Sequence, residues 1–215
     1  MSIAIQLSPA GAGTVANREV HVARYGKEHK EATRQRIVDA AGRRFKKDGI
    51  DGSGVSTLMT DAGLTNGAFY AHFASKDDLV ATVLGDQLDR QASEFSKLPA
   101  GRAGLEVLVR EYLSRAHRDH PDAGCPSAAL LDEVARSAPT TKKAYTSGAK
   151  AILAEICTRL SPADPASERQ TALLLFTMLV GSMQLARALS DKKLSNAVLE
   201  DGIQSALALL DTGNS

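Results

Sequence analysis

The sequence predicts an all-α protein, and three observations carry that prediction. Strand signals are nearly absent. Ala, Leu, Lys, Arg and Glu dominate, aromatic residues make up 4 %, and there is no tryptophan, a mixture that favours helices. Apolar residues recur at helical spacing between clusters of Gly, Pro and Ser. At 215 residues the chain is long enough for one sizeable core or for two small domains sharing an interface.

Residues 1–26 hold Ser, Pro, Gly, Ala and Asn without helical periodicity and read as a disordered extension. The first helix is expected over residues 30–48. Ile37, Ala41 and Phe45 line its buried face and Gly49 supplies its stop. Asp51-Gly52-Ser53-Gly54 is a turn cluster. A short helix with a glycine turn follows, ending Ala62-Gly63-Leu64, and then a still shorter one across Thr65-Asn66-Gly67-Ala68-Phe69-Tyr70-Ala71-His72-Phe73. Helices this short are unstable alone, because nucleation is costly and few backbone bonds offset it. Neighbours must brace them.

Ser75-Lys76-Asp77-Asp78 reads as a capping box, Ser75 accepting from a backbone N–H while Asp78 reaches back. It opens a helix that runs through Leu79, Val83, Leu84 and Leu88 to about residue 97, linking the N-terminal head to the rest. Further helices are expected over 103–120, 127–137, 140–160, 167–189 and 195–210. The most apolar stretch, 172–180, is expected to break at Gly181-Ser182 and so to be too short to span a bilayer.

The two short helices form a helix-turn-helix, which places its second helix in a DNA major groove. Leu58, Ala62, Leu64, Phe69 and Phe73 fall where they pack against the helix holding Phe45. Thr65, Asn66, Gly67, Ala68, Tyr70 and His72 are left near the outer face, with Lys76 at the rim. Asn66 suits a base edge or a phosphate, Tyr70 and His72 suit phosphate, and Gly67 lets a backbone come close. The plainer alternative is an ordinary helical hairpin, but its shortness, its polar face and the adjoining basic helix favour DNA. Charge agrees. Residues 1–76 carry 11 Lys and Arg against 7 Asp and Glu, and the remainder 15 against 18, so a basic head precedes a mildly acidic body. Lys27, Lys30 and Arg34 are placed to reach phosphate, while Lys46 and Lys47 are assigned to a solvated face.

The segment Thr33-Arg34-Gln35-Arg36-Ile37-Val38-Asp39-Ala40-Ala41, with Phe45, Gly49, Ala62-Gly63-Leu64, Gly67, Phe69-Tyr70, His72-Phe73, Ser75-Lys76 and Leu79, closely resembles the TetR/AcrR-type transcriptional regulators. The resemblance covers about residues 33–88. It implies an all-α homodimer with a three-helix DNA-binding head over 27–75, a connecting helix over 76–97, and a ligand-binding and dimerisation body over 98–215. It places the DNA contacts on Thr65, Asn66, Gly67, Ala68, Tyr70, His72 and Lys76. Met59 departs from the general helix-turn-helix pattern, where alanine often stands. The implied function is a cytoplasmic repressor, released from double-stranded, palindromic operator DNA by a small apolar effector.

The last two helices are apolar on more than one face, as Leu173-Leu174-Leu175-Phe176 shows. They suit either a central core or a face shared with a second copy, and the resemblance favours the shared face. Tyr112, Tyr145, Phe176 and Met183 are candidate effector-cavity residues, with Met178 and Gln184 beside them; core packing accounts for them equally well. Cys125, at the start of a helix, suits either a buried core position or a redox- or electrophile-sensing thiol, the alternative mode of regulation. His117, His120 and Asp122 have metal-compatible spacing, but their place at a helix C-terminus suits dipole contacts better, and no metal or cofactor is expected. Two cysteines make no disulfide framework. No nucleophile–base pair or phosphate-cradling glycine loop points to an enzyme.

Overall fold

The computed structural model describes residues 13–212, with side chains described over 27–211. Among the described residues it is entirely helical, as the composition predicts. Up to Arg36 the first helix, α1 (Gly13–Asp48), belongs to one compact unit; from Ile37 it belongs to a second, which contains every other element. Residues 1–12 of the expected extension lie outside the described residues. From Gly13, however, the backbone is helical, so α1 begins well before residue 30. No proline interrupts residues 13–48, and Ala, Arg, Glu and Lys carry the helix without a strict apolar period.

Gly49 ends α1 at φ +83°, and Gly63 makes the later turn at φ +66°, a left-handed backbone that other residues rarely adopt. Between them lies α2 (Val55–Asp61). The next element, Asn66–Ala71, is a 3₁₀ helix rather than an α-helix, consistent with so short a run. Then come α3 (Lys76–Ser96), α4 (Arg102–Tyr112), α5 (Arg115–Asp119), α6 (Pro126–Arg136), α7 (Pro139–Leu160), α8 (Arg169–Ala188) and α9 (Lys192–Thr212). The capping box forms with one change of partner. Asp78 N donates to Ser75 Oγ at 3.1 Å, while the Asp78 carboxylate accepts from Ala74 N at 3.0 Å.

The helix expected over 103–120 is broken in two. Ser114 takes an extended backbone and caps α5, accepting from His117 N at 3.1 Å, because its hydroxyl competes with the helical ladder. Residues 172–180 do not break at Gly181-Ser182 either. One glycine costs a helix interior only about 1 kcal/mol, and packing of Ala172, Leu175, Phe176, Leu179, Val180, Met183 and Ala186 offsets it. With the preceding 3₁₀ turn, the segment Pro165–Ala188 is long and apolar enough to cross a membrane by length and composition. Within it, the seven residues just named are buried, while Leu173, Leu174 and Leu185 are exposed.

Two hydrophobic clusters organise the unit. The head core holds Ile37, Ala41, Phe45, Leu58, Met59, Phe69 and Phe73, and α3 adds Leu79, Val80, Val83 and Leu84. The body core begins further along the same helix, at Leu88 and Ala92, and gathers α4, α7, α8 and α9. So α3 is shared end to end between the cores. Leu130 and Val134 of α6 also belong to the head core, which makes α6 a second bridge. Where α3 meets α7, Gly148 lies so close to Leu88 that a Cβ there would come within 2.4 Å of the Leu88 Cβ.

Candidate nucleic-acid interface and the junction behind it

Burial sorts the helix-turn-helix residues by side. Leu58, Met59, Ala62, Phe69 and Phe73 are buried, with Leu64 half-buried. Met59 fills its position completely, so the departure at that residue leaves the head core packed. Phe69 meets Phe73 with ring centroids 5.8 Å apart and takes the Tyr70 ring edge-on at 5.2 Å. The 3₁₀ helix is thus pinned by alternate aromatics. On the other side Thr65, Asn66, Gly67, Tyr70 and Ala71 are exposed, Tyr70 to 75 %, and Ala68, His72 and Lys76 are half-buried. A Cβ at Gly67 would meet nothing within 4 Å, so its surroundings are open to an approaching surface.

The helix-turn-helix is fixed to α1 by charge as well. Arg44 reaches across α2 with a two-point contact to Asp61, Nε–Oδ2 2.7 Å and Nη2–Oδ1 2.9 Å, and holds Asp48 at 2.6 Å. Its hydrogen bonds to Asp61 and Asp48 raise the arginine pKa, and the bond to Arg44 lowers that of Asp61. Lys27 and Lys30 are exposed and Arg34 half-buried.

Behind this face, α1 and α3 meet the segment between α5 and α6. Lys46, expected on a solvated face, is half-buried here and donates from Nζ to the Gly124 carbonyl at 2.8 Å. Burial pushes its pKa down to about 8. Glu133 of α6 accepts from the Ile50 and Asp51 N–H groups at 2.7 and 3.2 Å, grasping the turn after α1. Sequence reasoning missed Glu133, and no local signal marks it. A signal for Lys46 was available, since with Asp39 and Arg43 it falls on one helical face at spacings of four and three.

His117 has both ring nitrogens engaged: Nε2 lies 3.0 Å from Cys125 N and Nδ1 2.6 Å from the Tyr112 carbonyl. Accepting at Nε2 requires Nδ1 to carry the proton, and burial lowers the imidazole pKa, so the ring is neutral. It closes the break between α4 and α6 and has no nitrogen left for a metal. Cys125 is buried at the N-cap of α6 and its thiol donates to Gln91 Oε1 at 3.1 Å.

The four candidate effector residues differ in their surroundings. Phe176 and Met183 are buried in the body core, and Tyr145 bonds Ser127 Oγ at 3.0 Å. Tyr112 lines a cleft, of about 250 Å³, with Phe95, Leu98, Leu108, Glu94 and Glu111.

Residues 37–83 match the family described as bacterial regulatory proteins, tetR family. Among curated relatives, the chain is 37 % identical over 62 residues to the HTH-type transcriptional regulator AcrR of Shigella flexneri, covering 29 % of each. It is 32 % identical over 87 residues to an HTH-type transcriptional repressor of Mycobacterium tuberculosis, covering 40 % of this chain and 44 % of that one. The chain thus spans less than half the length of these relatives. Its fold is shared with a TetR-family regulator from Cytophaga hutchinsonii, at a TM-score of 0.72 and 17 % identity, over 86 % of this chain and 96 % of that one.

Proposed function

We propose that the chain is a TetR/AcrR-type transcriptional regulator, matched to that family over residues 37–83, and that it acts as a cytoplasmic, homodimeric repressor that binds operator DNA and is released from it by a small-molecule effector. The observation that carries the DNA reading is the two-sided 3₁₀ helix. Phe69 and Phe73 anchor it while Thr65, Asn66, Gly67, Ala68, Tyr70 and His72 line the free side, with Lys76 at the rim. Anchoring matters because contact residues discriminate bases only when held in register. Two heads would lie in successive major grooves, about one helical turn apart.

The stripe Leu174, Thr177, Gly181, Leu185 and Ala188 supports dimerisation. These residues are exposed on one face of α8, Leu185 to 51 %, and none carries a charge. A Cβ at Gly181 would meet nothing within 4 Å, which leaves room for a partner helix. The apolar wall of the cleft beside Tyr112 supports an apolar effector entering the body there. Because α3 passes from the head core into the body core, a ligand that favours one packing of its C-terminal half would turn the head at the other end.

Fluorescence anisotropy with the intergenic DNA upstream of the gene tests the DNA claim. Binding to that DNA at least tenfold tighter than to unrelated duplex, at fixed salt, is expected. Equal affinity for both would overturn operator recognition.

A further inference from the structure

His117 stands where the break between α4 and α5 meets the start of α6, and three hydrogen bonds converge on it. Its Nδ1–H donates to the Tyr112 carbonyl at 2.6 Å, its Nε2 accepts from Cys125 N at 3.0 Å, and its carbonyl accepts from Arg187 Nη2 at 2.6 Å. Gly124 is seated directly on the ring, where a Cβ would lie 2.4 Å from both Cδ2 and Nε2. The Tyr112 ring meets the imidazole edge-on, with centroids 4.7 Å apart. The imidazole is half-buried rather than sealed, and it lines a cleft of about 520 Å³ between α1, α3 and the segment before α6. A proton can reach it.

A second proton does not fit this arrangement. It has to sit on Nε2, where the Cys125 N–H already points, and two donors 3.0 Å apart repel. Two cations oppose it as well, Arg187 from α8 and Lys46 from α1. The other charges nearby do not compensate. In the cleft wall Asp39 is committed to Arg90 at 3.0 Å and Glu94 to Lys97 at 2.5 Å, while Asp119 on α5 holds Arg118 at 2.8 Å. Asp122 is matched by Arg43 in the same lining, and Cys125 spends its thiol hydrogen on Gln91. Burial first, and the two cations after it, hold the imidazole pKa below its ordinary 6.5 against the Tyr112 bond, which raises it.

The grip of α6 on the head depends on this bond. Cys125 is the N-cap of α6. Further along the same helix Leu130 and Val134 enter the head core, and Glu133 accepts from the Ile50 and Asp51 N–H groups. We propose that His117 is a proton-operated latch: neutral, it fastens the start of α6; protonated, it lets go of Cys125 and slackens the hold of α6 on the turn after α1. With the start of α6 open, the imidazole takes a proton at its ordinary 6.5; with it closed, only at lower pH. Acid therefore favours the open form, progressively below pH 6.5. The latch needs neither DNA nor effector.

Hydrogen exchange of the full-length protein at pH 7.5 and 5.0, each corrected for the intrinsic rate, reads the opening directly. Protection of residues 124–130 should fall at least threefold at pH 5.0, with about thirtyfold as the ceiling for a group of ordinary pKa 6.5. Protection of the Ile50 and Asp51 amides should fall with it. His117→Gln keeps an acceptor near the Nε2 position and takes no proton in this range, so the acid effect should drop to less than half. His120→Gln, at an exposed neighbouring position, should keep the full response. In the unaltered protein, nitrogen-15 spectra of labelled histidine should show His117 in its Nδ1–H form at pH 7.5 and titrating below 6.5. No acid effect on residues 124–130, an equal effect in His117→Gln, or an imidazole titrating at or above 6.5 would overturn the latch. Loss of preference for the upstream DNA would sink the operator reading and leave these results unchanged.

Discussion

Phe69 and Tyr70 are neighbours in sequence with opposite tasks. Phe69 is buried in the head core and Tyr70 projects from it. Phe69→Ala should cost about 3–5 kcal/mol of stability, through lost burial and the cavity left behind; urea unfolding reads this directly. Tyr70→Ala should lower stability by no more than about 1 kcal/mol, the edge-on contact with Phe69, and weaken operator binding about tenfold; a loss as large as that of Phe69→Ala with intact binding would refute the assignment. Lys46 gives a pH signature. Its pKa is about 8 when folded against an ordinary 10.5, lowered chiefly by burial, with Cys125 and Asp122 raising it and Arg187 and Arg43 lowering it further. Below about pH 8 the lysine is charged in both states and the cost of burying that charge is fully present. Between about pH 8 and 10.5 the unfolded chain holds a proton that the folded one has released, so stability rises with pH. Lys46→Met should abolish this rise and be more stable at pH 7 by about 2 kcal/mol, net of the lost bond to Gly124. Denaturant unfolding of both proteins at pH 7 and 9.5 checks it.

At the scale of elements, most helices were legible because their stops are chemical. Gly49, Ser75, Pro121 and Pro139 punctuate whatever the tertiary context. What the sequence misjudged has a common cause. The split of α4 from α5, the passage of α8 through Gly181 and the early start of α1 at Gly13 are each settled by competition between local propensity and its surroundings. The two-sided burial of this segment was readable from the spacing of Phe69 and Phe73, four residues apart, but its 3₁₀ geometry was not. The junction was not, because Lys46, Gly124 and Glu133 come together only through α6, far along the chain. The crossing of α3 and α7 makes a further prediction. Gly148→Ala would drive a methyl against the Leu88 Cβ, which cannot swing away as a side-chain tip can. A loss of about 1–3 kcal/mol is expected, and an unchanged melting temperature would count against so close a contact.

For the whole molecule, the uncharged stripe on α8 sets a test of assembly. Leu185→Glu should convert a dimer into a monomer by sedimentation velocity, with helix content unchanged, since Leu185 is half exposed in the single chain. A variant that remains dimeric would move the interface elsewhere. The second unit holds two hydrophobic cores, and no single cut across the chain separates them. Leu130 and Val134 complete the head core from the middle of the body. A head excised after α3 would therefore expose two empty sockets on its inner surface, and transplanting it onto another body would succeed only with a bodily helix that carries equivalent plugs. On the function proposed above, specificity is consequently not a detachable cassette: selection on an effector site in the body and selection on DNA preference in the head would act on a shared helix, and each would constrain how freely the other can drift.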